Sequence, residues 1–191
     1  MPAPCDPAYA PIGDVSTALL MIDSRLKTLY SGRTTTDPEQ QELIDQYTDS
    51  MTPQGARDVL DGACTLIYMY MKWLRLAHAE HDRDVVEYVV PSLVATLRQM
   101  PRSVGPEAIP TMVGLVVASA MELSPSLWRQ QYGTWTKVEM TALEATATLL
   151  AEHINRITDD QDFATRIITD ALTRAEEDAE GEDDEEGEED D

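Results

Sequence analysis

Four carboxylates fall in two matched pairs, Glu39-x-x-Glu42 and Asp58-x-x-Asp61, with 15 residues between the pairs. On facing helices such acids offer hard oxygen ligands to Mg²⁺ and leave water on the ion for chemistry. A second string, His78-x-x-His81-Asp82, would place two imidazoles on one helix face with Asp82 as a third ligand. A plainer reading covers both and is preferred here. Surface acids and first-turn dipole partners account for the four carboxylates, and histidines closing a helix C-terminus account for the second string. No catalytic residue, resident metal or cofactor is therefore expected. His153 shares a helical face with Leu149, Leu150 and Ile157 and reads as a hydrogen-bonded core or boundary residue. Trp128, Tyr132 and Trp135 fall at i, i+4 and i+7 beside Arg129. These residue types are enriched at interface hot spots, so the four are the candidate partner-binding residues. The competing role for the rings is to pack the junction between two helices.

The strings that usually mark an enzyme are missing from the sequence. It has no Gly-rich loop ending in Lys-Ser/Thr, no HExxH, no GxSxG, no zinc-type cysteine pairing, and no glutamate three residues before a histidine. Over about residues 37–77 the two acidic pairs, with the apolar run GACTLIYMYM after Asp61, resemble the all-α nucleotide pyrophosphohydrolases of the MazG type. That resemblance implies that Glu39, Glu42, Asp58 and Asp61 hold Mg²⁺ on substrate phosphates. Asp58 stands where that family has a glutamate. The His81-Asp82 pair resembles the HD-type metal phosphohydrolases, which draw a further histidine from an earlier helix; no histidine precedes His78.

The elements that must position these residues are helical throughout. Residues 1–13 hold four prolines and read as an extended, solvated arm, with Cys5 exposed. A first helix is predicted from Asp14 to before Gly32, and Asp37-Pro38 and Thr52-Pro53 signal two more starts. The second of these three carries Leu43, Ile44, Tyr47 and Met51 on one side. The third runs to about Ala79 and buries Cys64. Segment 82–100 keeps the helical period through a kink at Pro91, although its valines also suit a strand. Ile109 to Met121 is apolar all round, as for a central helix, and Gly114, Ala118 and Ser119 allow close approach by a neighbour. Ser124-Pro125 opens a short helix ended by Gly133. Thr136-x-x-Glu139 is a capping box that opens a helix to about Ile157. Asp159 is expected to cap the last helix, with Phe163, Ile167, Ile168, Ala171 and Leu172 facing inward. The fold class is all-α: a single bundle of six to eight helices over 14–175.

Charge completes the reading. The chain of 191 residues has 36 acids against 14 bases, a net −22. Residues 176–191 hold 13 of those acids and no base: Glu176, Glu177, Asp178, Glu180, Glu182, Asp183, Asp184, Glu185, Glu186, Glu188, Glu189, Asp190 and Asp191. With no apolar face to bury, this segment is expected to be a disordered acidic tail. No basic cluster exists to release counterions from nucleic acid or to adhere to an anionic membrane. The longest uncharged run in the helical body, 108–121, is too short to span a bilayer. Two cysteines make no disulfide framework, and the N-terminus lacks a secretory pattern, so a cytoplasmic protein is expected. The function expected is a non-enzymatic interaction or assembly protein. Its partner would be a protein, a basic one where the tail takes part, and it would associate with itself as a homo-oligomer. A Mg²⁺-dependent pyrophosphohydrolase is the first alternative, and an acidic mimic of nucleic acid is the second.

Overall fold

The structure, a computed structural model, describes residues 4–32, 38, 39, 42, 46 and 51–185, with side chains up to 179. Helix α1 (Val15–Tyr30) starts where Asp14 accepts the Thr17 N–H and stops before Gly32, which takes φ 66°. Positions 38, 39, 42 and 46 are helical and exposed. The face expected from Leu43, Ile44 and Tyr47, and the Asp37 cap, lie outside the described residues. Helix α2 (Pro53–Ala79) is opened by Thr52, whose hydroxyl accepts from Gly55 N–H, with Pro53 in the first turn. The valine-rich segment is helical and broken at Val89 into α3 (Val85–Tyr88) and α4 (Val90–Arg98). Pro91 sits in the first turn of α4, where its missing N–H costs no helical bond. A 3₁₀ turn (Pro106–Ala108) leads into α5 (Ile109–Ala120). Then come α6 (Pro125–Gln130), α7 (Lys137–Thr158) and α8 (Phe163–Glu185). No strand occurs among the described residues, and the architecture is an all-α bundle of six to eight helices.

The hub of the bundle is α2, which packs against α1, α7, α5, α6, α3 and α8. Its Leu66, Ile67, Tyr70, Met71 and Leu74 are fully buried. The apolar α5 is central on one side only: Met112, Leu115 and Val116 are buried, while Pro110 and Met121 are exposed. Its small residue Gly114 admits a ring rather than a helix backbone, since a Cβ there would overlap the Trp128 indole. Gly62 of α2 serves a true backbone approach, against the Asp14 carbonyl at the start of α1. Among the described residues no helix is long and apolar enough to cross a membrane.

The structure corrects two local expectations. The N-terminal arm is docked rather than solvated: the Cys5 carbonyl accepts from Ser124 N–H at 2.8 Å, the Ile12 carbonyl accepts from the Thr65 hydroxyl at 2.8 Å, and Cys5 is buried. Asp159 does not cap α8. It closes α7 in the left-handed region at φ 54°, and Asp160 accepts from Asp162 N–H instead. Helix α8 runs past 175 to Glu185. Glutamate and alanine are good helix formers and no proline intervenes, so nothing in 176–185 forces a break. Residues Glu186, Glu188, Glu189, Asp190 and Asp191 lie outside the described residues.

Candidate functional site

The aromatic cluster is built around a buried cation. Helix α6 ends at Gln130, so only Trp128 and Arg129 are helical; Tyr132 and Trp135 lie on the connection to α7. The i, i+4, i+7 spacing thus does not form one face, because Gly133 takes φ 87° and turns the chain. Arg129 is only 2% exposed. Its guanidinium donates to the carbonyls of Gly133 (2.9 Å) and Thr134 (3.0 Å) and to Glu139 Oε2 (2.7 Å). It also lies over the Trp135 ring, 4.7 Å from the centroid.

Glu139 completes the capping box of α7: the Thr136 N–H and hydroxyl both donate to Oε2, and Oε1 accepts from the Thr111 hydroxyl of α5. Burial acts to raise this carboxyl. The Thr136 N–H, the Arg129 guanidinium and the two threonine hydroxyls outweigh it and hold the pKa down to about 2. The 131–136 connection is therefore fastened from inside. Trp128 fills the space over Gly114, and Tyr132 leans on it at 4.9 Å between centroids while remaining 65% exposed. Of the four expected contact residues, Tyr132 is the outward one. Trp128 and Trp135 are half-buried, and Arg129 is an internal fastener. The capping box was legible in the sequence, but the bond from Arg129 to it was not.

The acidic pairs are placed less convergently. Glu39 and Glu42 are exposed, and Glu42 accepts from Gln46 at 3.4 Å. Asp58 and Asp61 sit one turn apart on α2. Asp58 accepts from the Gln54 side chain at 2.9 Å, and burial, followed by the neighbouring Asp58 charge, pushes the Asp61 carboxyl up. The His78/His81/Asp82 string is split by the end of α2 at Ala79. His81 and Asp82 lie in the exposed turn beyond it, with Asp82 at φ 56°. Among the described residues no three His, Cys, Asp or Glu side chains come together as a metal-holding group.

His78 instead meets His153. The two rings stack at 6.4 Å between centroids and 23° between planes, joining the end of α2 to α7. This contact between residues far apart in sequence had no local signal. Beside it, α4 and α7 enclose a shallow groove floored by Val89, Leu93, Leu149 and Leu150, with His153 and Arg156 at its edge.

In α8 Ile168 is buried as expected and Phe163, Ile167 and Leu172 pack half-buried against the core, while Ala164, not among the expected residues, is buried too. Glu176, Glu177 and Asp178 are exposed. For Glu180, Glu182, Asp183, Asp184 and Glu185 the helical backbone alone is described.

Compared with known proteins, the chain matches no family model, no curated protein and no solved structure.

Proposed function

We propose that this chain is a non-enzymatic, cytoplasmic interaction protein that engages a protein partner, or a second copy of itself, through the aromatic end formed by α6 and the 131–136 connection. The observation that carries this reading is Tyr132, 65% exposed on a connection that Arg129 fastens from within. An exposed aromatic on a rigid support loses little conformational freedom on binding, which is what an interface anchor requires. The cytoplasmic setting is supported by two cysteines that are both free and buried, as suits a reducing compartment. A basic partner would gain further from the acids that follow Glu176. The pyrophosphohydrolase and nucleic-acid-mimic alternatives have no comparable observation behind them. Asp58 accepts from the neighbouring Gln54 side chain on the same helix, and among the described residues no three His, Cys, Asp or Glu side chains group to hold a metal.

The test contrasts two neighbours. Tyr132→Ala should leave the melting midpoint within about 2 °C of wild type, as for a surface change. It should abolish association, read as self-association by sedimentation equilibrium and as a partner co-purifying from the source cell. Trp128→Ala empties the space over Gly114 and should cost about 3–5 kcal/mol of stability. If Tyr132→Ala leaves every association intact, the aromatic end is not the interface.

A further inference from the structure

The His78–His153 contact has a defined proton arrangement. The Leu74 carbonyl can only accept, so His78 Nδ1, 2.8 Å from it, carries a hydrogen and donates. A guanidinium can only donate, so His153 Nδ1, 2.9 Å from Arg156 Nη2, must present its lone pair. His153 is thus neutral with its hydrogen on Nε2, and that Nε2 is buried without a hydrogen-bond partner. Adding a proton to His153 would put an N–H against the Arg156 donor, replacing a hydrogen bond with repulsion between two cations.

The surroundings do little to relieve such a charge. From α7 come Glu152 and Arg156, the latter 3.9 Å from the Glu152 carboxylate. From α3 comes Tyr88, 6.3 Å from the His78 ring and itself capped by Arg83 at 5.1 Å. From α4 come Ser92 and Thr96, both uncharged, along the groove. Glu152 is the only acid among these groups, and Arg156 already competes for it.

We infer that His153, stacked on His78, is a proton-operated latch: in its neutral form it holds α4 against α7, and its protonation loosens them and opens the groove floored by Leu93, Leu149 and Leu150. The sign follows from the setting of His153. Its burial, then Arg156 and His78, hold its pKa below the ordinary 6.5. The closed form is therefore at full strength above the ordinary imidazole range and weakens as pH falls below it.

Hydrogen exchange read by mass spectrometry over 85–98, corrected for the intrinsic pH dependence of exchange, tests this directly. Between about pH 7.5 and pH 5.5 the opening equilibrium of wild type should rise several-fold, because the open form takes the proton more readily than the closed one. His153→Gln, which cannot take a proton, should show no such rise. Circular dichroism at neutral pH verifies that the variant is folded. A wild type whose 85–98 segment does not loosen in acid overturns the inference without recourse to any variant. An equal loosening in His153→Gln overturns it as well.

Discussion

Replacing Glu139 with glutamine tests whether the Arg129–Glu139 pair fastens the end of the bundle. The substitution keeps the shape and one acceptor oxygen, and glutamine also serves at the third position of a capping box, so the start of α7 should survive. What is lost is the negative charge facing a guanidinium whose side chain is 3% exposed. Stranding a buried charge costs about 3–5 kcal/mol when nothing else compensates it. Here the Gly133 and Thr134 carbonyls still accept from Arg129, and the Glu139 side chain is itself 14% exposed. Those two facts bring the expected loss to about 2–3 kcal/mol after allowance for solvent screening. In a chain of this size that is a fall of roughly 5–10 °C in melting midpoint. The pH dependence supplies an independent check. Because the Glu139 pKa is held from 4.5 down to about 2, its contribution is complete above the ordinary glutamate range and vanishes as pH falls through about 2. The gap between wild type and Glu139→Gln should be full at neutral pH and narrow steadily below about pH 4.5. Urea unfolding across that range, followed by circular dichroism and by tryptophan fluorescence, measures it. A gap under about 0.5 kcal/mol at neutral pH, or one that stays constant into acid, would refute the reasoning.

Two further outcomes are expected. Deleting 176–191 should leave the melting midpoint within about 2 °C of wild type, because Glu176, Glu177 and Asp178 bury nothing; a larger fall would mean that the acidic segment packs on the body. Incubating the protein with nucleoside triphosphates and Mg²⁺ should release no pyrophosphate. Turnover that Glu42→Gln abolishes would instead restore the acidic pairs as a site.

The helix starts were legible because their causes are local. Asp14, Thr52, Ser124 and Thr136 each accept the backbone N–H three residues ahead, and a short polar side chain before a helical run signals that directly. The stop at Gly32 is local in the same way. What the sequence hid is long-range. Cys5 is buried because Ser124 N–H and the Gln131 side chain reach it from α6, and no pattern within a Pro-rich arm predicts such partners. The aromatic spacing misled for a related reason: it assumes one helix, whereas Gly133 ends that helix inside the pattern. Arg129 was singled out as a contact residue by its type. Its role inverts once Glu139 and two carbonyls are seen to surround it, because a cation with three acceptors at hand is more stable inward than outward.

That inversion bears on how large an interface the aromatic end can offer. A stable interface needs about 800 Å² from each partner, far more than one tyrosine supplies. Arg129 cannot add to it, and Trp128 and Trp135 add only the parts of their rings not already packed. The arm can. It is fastened to α6 at Cys5 and to α2 at Thr65, and along it Tyr9 is 68% exposed and Ile12 is 69% exposed. Its 3₁₀ turn, Pro7–Tyr9, is capped by Asp6, which accepts from the Ala8 N–H beneath Tyr9. A partner that uses Tyr132 as proposed would find the docked arm beside it, because the adjacent Gln131 side chain donates to Cys5. The hydrogen bonds from Ser124 and Gln131 to Cys5 are what hold the arm there, at the two ends of α6.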